Sequence, residues 1–195
     1  YQPTDDWKEK LKHFMLRPPV KWNNIHADYV FSYGGEISSI IQSLGVPTNK
    51  IIDICSGITD DWVRSEIEIK KDKRSFLFIG RNERRKGIQD LLQEAEIIKK
   101  LPLDFHWVGP IPQTLQIKSD NCIYHGEIKD AQQIKEILDQ CDVLVTPSHA
   151  EGMPNVILEG MSRGLAVIAT EVGAVPMMVS EDNGVLIPPF DQKAL

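Results

Sequence analysis

The most informative segment of this chain reads Asp142-Val-Leu-Val-Thr-Pro-Ser-His-Ala-Glu151-Gly-Met-Pro-Asn-Val-Ile-Leu-Glu159-Gly160. An apolar run that is typical of a buried strand leads into a Gly/Pro loop and then into helix-forming residues. This arrangement presents the N-terminus of a helix to a ligand and is suited to an anion. Side chains lean back toward the start of a helix, so Glu159 is predicted to approach the loop that holds Glu151. The segment therefore predicts two carboxylates beside an anion-binding helix end.

Composition and charge argue against several classes of protein. The chain has 195 residues and a formal charge of −6, whereas a general nucleic-acid binder needs a basic surface. Cys55, Cys122 and Cys141 have no paired spacing, so neither a disulfide framework nor a zinc site is indicated. No apolar run reaches the ~18–20 residues of a membrane span, and the first residues lack a signal-peptide pattern. We therefore predict a cytoplasmic α/β protein.

After residue 75, apolar runs alternate regularly with helix-like stretches. The strand-like runs are Phe76–Ile79, Phe105–Val108, Asn121–Tyr124, Val143–Thr146, Ala166–Ala169 and Val185–Ile187. The helix-like stretches are Ile88–Lys100, Ala131–Gln140, Asn155–Arg163 and a short one at Val175–Ser180. Apolar strands that alternate with helices indicate a parallel sheet covered by helices on both faces. Since ligands bind outside the carboxyl ends of such strands, the loops that begin at Gly80, Gly109, His125 and Ser148 are predicted to meet there.

The first part of the chain is predicted to be the remnant of another domain. An amphipathic helix over residues 5–17 ends at Pro18-Pro19, and its apolar side is expected to pack on a sheet. A strand, helix and strand follow at Ala27–Ser32, Gly35–Leu44 and Lys50–Cys55. We assign residues 1–56 to this remnant, 57–75 to a polar linker and 76–195 to the second domain. Because the chain does not begin with Met and stops where a new helix would start, it is expected to be part of a longer protein.

A second anion-binding feature follows the first strand of the second domain. The loop reads Gly80-Arg81-Asn-Glu-Arg-Arg-Lys86-Gly87, and Arg81 and Lys86 could converge on one phosphate group. It is not a P-loop, because no glycine precedes Lys86 and no Ser or Thr follows it. No G-x-G-x-x-G motif occurs, so nothing indicates a nicotinamide or flavin site.

The glutamate pair permits two readings. Glu151 and Glu159 could be the acid and base of a glycoside hydrolase, which would need only carboxylates. A ligand that combines phosphate groups with a polyol accounts for more of these residues. The cations and N–H groups suit a diphosphate, and the carboxylates suit sugar hydroxyls. His106 alternates with strand residues and is predicted to be structural, whereas His149 either lines the pocket or ends the strand. No Ser-His-Asp or Cys-His arrangement can be identified by spacing.

These motifs together resemble the C-terminal half of a retaining glycosyltransferase of family 4. The resemblance rests on Gly80-Arg81…Lys86-Gly87, on Gly109, Gly126 and Pro147-Ser148, on Glu151-Gly-Met-Pro-Asn-Val-Ile-Leu-Glu159 and on Asn183-Gly184-Val-Leu-Ile-Pro-Pro. It implies the GT-B architecture, in which two Rossmann-like domains face each other across a cleft, and residues 76–195 would be the nucleotide-sugar-binding domain.

The resemblance also implies roles for individual residues. Arg81 and Lys86, with Gly80 beside them, match the positions that stabilise the donor diphosphate. Glu151 matches the residue that contacts the transferred sugar, with the backbone from Gly152 through Met153, Pro154 and Asn155 to Val156 nearby. Glu159 matches the residue that holds the ribose, and His125-Gly126 would lie near the base. One departure is Gly173-Ala174-Val-Pro176-Met177, which lacks the carboxylate that the family usually carries in this loop.

The function implied is transfer of a hexosyl group, with retention, from a nucleotide-diphosphate sugar to a glycan, glycolipid or similar acceptor. Catalytic roles would fall to Arg81, Lys86 and Glu151, and no metal or cofactor is expected. This chain would supply the donor-binding half and would be inactive alone. The expected partners are the nucleotide sugar and a lipid-linked or other sugar acceptor, and peripheral association with the inner face of the membrane is a further expectation. A non-catalytic nucleotide-sugar-binding module and a GT-B-like epimerase are the alternatives.

Overall fold

The computed structural model describes residues 18–66 and 74–195. The chain divides between Ser56 and Gly57 into two compact units. The predicted helix over residues 5–17 lies outside the described residues, as does the part of the predicted linker at 67–73. Among the described residues, no helix is both long and apolar enough to cross a membrane.

The first unit contains a small parallel strand–helix–strand arrangement. Helix α1 covers residues 18–26, and β1 (Val30–Ser32), α2 (Gly35–Ser43) and β2 (Ile51–Asp53) follow it. The predicted strand, helix and strand are all present, and β1 and β2 pair in parallel. Pro18 and Pro19 both lie in α1, since proline has a fixed φ that is itself helical and is tolerated in a first turn. Whether they end a preceding helix depends on residues 5–17, which lie outside the described residues, so that end stays a prediction.

The second unit alternates strands and helices. Its strands are β3 (Arg74–Ile79), β4 (Leu103–Val108), β5 (Cys122–Gly126), β6 (Val143–Thr146), β7 (Ala166–Thr170) and β8 (Gly184–Ile187). Its helices are α3 (Ile88–Gln93), α4 (Ala95–Ile98), α5 (Ala131–Leu138) and α6 (Asn155–Ser162). Short 3₁₀ turns occur at Arg84–Lys86, Gln113–Leu115 and Val175–Met177.

Apolar side chains cover both faces of the sheet. On one face, Leu77 of β3 lies in a buried cluster with Leu138 of α5 and Ile157 of α6. On the other face, the next strand residue, Phe78, lies in a cluster with Ile88 of α3. Burial of each such side chain contributes about 1.5–3 kcal/mol. The predicted α/β fold, a Rossmann-like parallel sheet with helices on both faces, is confirmed.

The strand order positions the site. All six strands are parallel and lie in the order β5-β4-β3-β6-β7-β8. The chain moves outward from β3 to β5, crosses back to β6 beside β3, and then moves outward again to β8. Open α/β sheets bind ligands at the carboxyl ends of the strands where the order reverses. In this sheet that place is the crevice between the ends of β3 and β6.

Two helices differ from the prediction. The expected helix Ile88–Lys100 is divided at Glu94, whose ψ of 17° is not helical. No glycine or proline marks that break, and the sequence gives no account of it. The expected helix Val175–Ser180 is only the turn Val175–Met177. Pro176 supplies no N–H and the segment is short, so a stable α-helix does not form.

Residues 57–66 belong to the predicted linker. In the structure they contact α5 and α6, together with Asp139, which follows α5, and Arg163, which follows α6. Asp61 accepts a hydrogen bond from Lys135 at 2.5 Å. The guanidinium of Arg163 bonds both carboxylate oxygens of Asp139 and also donates to the carbonyl of Trp62 at 3.2 Å. These contacts attach the segment to the second unit.

Candidate functional site

The loops that follow β3 and β6 lie against each other. Gly87 ends the first loop with a φ of +67°, and a Cβ at this position would lie 1.8 Å from the carbonyl oxygen of Pro147. Only glycine allows this approach without strain. The N–H of His149 in the second loop donates to the carbonyl of Arg85 at 2.8 Å. Backbone contacts therefore fix the two loops side by side at the crevice.

A part-buried ion pair joins the two loops. Lys86 Nζ lies 2.6 Å from Glu151 Oε1, and Ser148 Oγ donates to the same oxygen at 2.8 Å. The other oxygen, Oε2, lies 3.8 Å from Arg85 Nη1. The Glu151 side chain is 9% exposed and that of Lys86 is 19% exposed. Both charged groups are largely withdrawn from water, so each stabilises the other, because an unpaired charge in such surroundings is strongly unfavourable.

Arg81 lies differently. Its side chain is 65% exposed and pairs with Glu83 at 2.9 Å. Glu83 also accepts a hydrogen bond from Arg85 at 2.8 Å. The structure thus places Arg81 on Glu83 and Lys86 on Glu151. Convergence of Arg81 and Lys86 on one phosphate remains a prediction.

The residues whose backbone is predicted to lie near the transferred sugar are at the start of α6. Gly152 and Met153 lie in the loop, Pro154 is the residue before the helix, and Asn155 and Val156 form its first turn. Pro154 offers no side-chain cap to the helix. The N-terminus of a helix is suited to an anion, because the aligned peptide dipoles place partial positive charge there.

The loop after β7 contacts the loop that precedes α6. The N–H of Ala174 donates to the carbonyl of Gly152 at 2.9 Å. Met177, in the loop that departs from the resemblance described above, is 54% exposed. The loop therefore makes a supporting contact with Gly152 although residue 177 is not acidic.

Glu159 stands in a different electrostatic situation from Glu151. It lies in α6 and is half-buried, and no hydrogen bond or ion pair reaches its carboxylate from the residues that the structure describes. Burial raises the pKa of the Glu159 carboxyl above its ordinary value. A partly buried carboxylate without a partner is an acceptor available to a hydroxyl group.

Backbone hydrogen bonds connect the ends of β3, β4 and β5. The N–H of Gly80 donates to Val108 at 2.9 Å, and the N–H of Gly109 donates to Gly126 at 2.8 Å. These bonds extend the sheet at the carboxyl ends of its strands, where the ligand is predicted to bind. The loops that carry Gly80 and Gly126 therefore lie at the same end of the sheet.

His125 is paired with His106. Their Nε2 and Nδ1 atoms are 3.0 Å apart and their rings are stacked, with centroids separated by 5.2 Å. Burial lowers the pKa of His125, which favours the neutral ring. His106 is buried within β4, as its predicted structural role requires.

His149 connects three parts of the second unit. Its Nε2 lies 2.5 Å from Asp90 Oδ2 in α3, and its ring centroid lies 4.1 Å from that of Phe190 after β8. The contact with Asp90 fastens the loop that carries Ser148 and Glu151 to α3. We regard His149 and Asp90 as positioning residues for this loop.

Sequence reasoning missed four residues of this cluster: Arg85, Ser148, Asp90 and Phe190. Both Arg85 and Ser148 lay within the quoted motifs. Arg85 could have been found because it is adjacent to Lys86, and Ser148 because it is close in sequence to Glu151. Asp90 and Phe190 carried no signal, because their contacts depend on how distant segments meet. Among residues 18–66 and 74–195, no cluster of three or more His, Cys, Asp or Glu side chains could hold a metal ion.

Comparison with solved structures identifies the class of fold. The chain is similar to the lipopolysaccharide outer core galactosyltransferase WaaB in its apo form, with a TM-score of 0.71, 22% identity, and coverage of 86% of this chain and 50% of that one. It is similar to Anabaena Alr3699/HepE in complex with UDP, with a TM-score of 0.76, 19% identity, and coverage of 96% and 57%. These likenesses show that the fold is that of GT-B glycosyltransferase structures.

Sequence comparison identifies the family. The model for glycosyl transferases group 1 matches residues 73–195, so the chain belongs to that family. Over 138 residues it is 32% identical to a Bacillus subtilis (strain 168) protein named for teichuronic acid biosynthesis, the glycosyltransferase TuaC. That match covers 70% of this chain and 35% of TuaC. The chain spans between 35% and 53% of the length of this and two further curated relatives.

Proposed function

We propose that this chain is the donor-binding half of a glycosyltransferase of polysaccharide biosynthesis. The complete protein would transfer a hexosyl group from a nucleotide-diphosphate sugar to a glycan, glycolipid or similar acceptor, with retention at the anomeric carbon. The observation that carries the proposal is the Lys86–Glu151 pair, which lies at the sheet's reversal point in a member of the group 1 family.

The diphosphate, the sugar and the ribose of the donor would each find a matching group in the site. Negative charge develops on the diphosphate as the sugar departs, and Lys86, Arg81 and the N–H groups at the start of α6 can stabilise it. Such stabilisation needs no metal ion. The carboxylates of Glu151 and Glu159 can accept hydrogen bonds from hydroxyl groups of the sugar and of the ribose. The complexes of HepE with UDP and with UDP-glucose support a uridine nucleotide as the first probe.

Binding is tested first, by thermal shift of the intact protein. The panel contains UDP, ADP and GDP with UDP-glucose, ADP-glucose and GDP-mannose. We expect one nucleoside diphosphate and its sugar conjugate to raise the melting temperature. No stabilisation by any member would contradict the proposal.

Variants then test the diphosphate contacts. Arg81→Ala and Lys86→Ala should each weaken the affinity of the stabilising diphosphate by ~1–3 kcal/mol in calorimetry, as for hydrogen bonds to charged groups. Lys99→Ala is the matched control, because Lys99 also pairs with a glutamate at 2.6 Å but lies on the surface, with Glu96 76% exposed. Unchanged affinity in both site variants would refute the diphosphate assignment.

Transfer distinguishes the enzyme from its alternatives. The intact protein is incubated with the stabilising sugar nucleotide and with lipid-linked or free sugar acceptors, and the anomeric configuration of the product is read by NMR. A product with the configuration of the donor supports a retaining transferase. Binding without transfer to any acceptor would favour the non-catalytic module, and a changed sugar in the donor itself would favour the epimerase.

A further inference from the structure

We propose that Glu151 is a specificity-determining residue that discriminates between the sugar nucleotide and the free nucleoside diphosphate. It does so by serving as the counter-ion of Lys86 until a ligand binds. This inference rests on the proposed function, because it assumes that Lys86 binds the diphosphate. It adds a role to Glu151 beyond any contact with the transferred sugar.

The charged groups of the site neutralise one another. Glu151 Oε1 receives Lys86 at 2.6 Å and Ser148 at 2.8 Å, while Oε2 lies 3.8 Å from Arg85. The carboxylate is thus almost enclosed by donors, and it is only 9% exposed. The charge of Lys86 is therefore already neutralised, and an incoming phosphate must compete with a carboxylate for it.

A free nucleoside diphosphate competes at a disadvantage. If its terminal phosphate takes Lys86, Glu151 loses its shortest hydrogen bond and remains, mostly buried, beside a new anion. A buried carboxylate that loses its partner is costly, and like charges in a low-dielectric site repel strongly. The terminal phosphate of the free diphosphate also carries about one more negative charge than the diester in the sugar nucleotide.

A sugar nucleotide removes this penalty. Its hydroxyl groups can donate to Glu151 at the moment when the diphosphate takes Lys86, so both charged groups exchange one partner for another. Ser148 can continue to donate to Oε1 throughout. Binding of the sugar and binding of the diphosphate are therefore coupled through a single ion pair, which favours the substrate over the diphosphate product.

Calorimetric titration of the intact protein tests the coupling. The probes are UDP with UDP-glucose, ADP with ADP-glucose and GDP with GDP-mannose, and the variant is Glu151→Gln. The neutral amide can still accept from Lys86 and Ser148 but no longer repels an anion. We expect the variant to bind the free diphosphate roughly 5-fold tighter or more, the lower end of ordinary coupling between ligand contacts, and the sugar nucleotide no tighter.

The matched control is Glu96→Gln, which removes the carboxylate of another 2.6 Å lysine–glutamate pair, on the surface. It should leave both affinities unchanged. A free diphosphate that binds Glu151→Gln no more tightly than the wild type would overturn the inference and leave the proposed function intact. A wild type that binds none of the six probes would overturn the proposed function and the inference with it.

A second measurement needs no variant and so does not depend on how Glu151→Gln folds. UDP is titrated into the wild type with and without saturating glucose, which can donate hydroxyl groups to Glu151. If UDP-glucose is the bound conjugate, glucose should tighten UDP binding. If ADP-glucose or GDP-mannose is bound instead, the titration uses ADP with glucose or GDP with mannose. An affinity for the diphosphate that the matching sugar does not change would overturn the inference.

Discussion

The contact between Gly87 and Pro147 predicts an unusually damaging glycine substitution. In Gly87→Ala, a residue with a Cβ would have to adopt a φ of +67°, which costs about 1–2 kcal/mol. The new Cβ would also lie 1.8 Å from the carbonyl oxygen of Pro147, whereas ordinary contacts begin at 3.4 Å. A forced displacement of this kind adds about 1–3 kcal/mol. The free energy of unfolding should therefore fall by about 2–5 kcal/mol.

Gly126→Ala separates the two costs. Gly126 has a similar φ of +73°, but no atom lies within 4 Å of a Cβ built there. Only the backbone cost of about 1–2 kcal/mol is expected for this control. Denaturant unfolding of the intact proteins measures both losses against the wild type. Equal losses in the two variants would refute the steric argument.

Gly87→Ala also has a predicted effect on binding. Pro147 directly precedes Ser148, so a displaced Pro147 moves the hydroxyl group and the following Glu151 away from Lys86. Calorimetry on the folded fraction of Gly87→Ala should show weaker binding of the stabilising nucleoside diphosphate. Wild-type affinity together with lowered stability would mean that the loop contact supports the fold and not the site.

Three further changes test other parts of the site. Glu159→Gln should raise the melting temperature of the ligand-free protein at neutral pH, since burial raises the pKa of Glu159 and disfavours its charged form. That gain should vanish as the pH falls below the ordinary glutamate pKa, because Glu159 is then protonated in both the folded and the unfolded protein. A gain that does not change with pH would contradict this prediction. Asp90→Ala should weaken diphosphate affinity by roughly 1 kcal/mol in calorimetry by freeing His149, and an unchanged affinity would mean that the loop holds without it. EDTA should leave the affinity for UDP-glucose unchanged, and a loss restored by Mg²⁺ would show that a metal is needed.

The fold could be predicted because strands buried on both faces appear as continuous apolar runs. All six predicted strands of the second unit exist, and their limits differ from the structure by only a few residues. The order of the strands could not be read from the chain. The division of the predicted helix at Glu94 was missed as well, because no glycine or proline accompanies it.

The candidate site was predictable in its parts and not in its pairings. Lys86 and Glu151 were identified from the chemistry of their loops, but they were assigned to different portions of the ligand. Their direct contact depends on β3 and β6 being neighbours, which only the sheet order reveals. The contact of His149 with Asp90 spans 59 positions and is invisible for the same reason.

The pairing of β3 with β6 also has a kinetic consequence. The register of the two strands pairs Phe76 with Val143 and Leu77 with Leu144, and the ion pair at their ends joins residues 65 positions apart. Contacts of such long range close slowly, because the entropy of the intervening loop must be lost first. The crevice is therefore expected to form late during folding, after β3, β4 and β5 have associated. A nucleotide that binds only the completed crevice would then draw the folding equilibrium toward the native state by mass action.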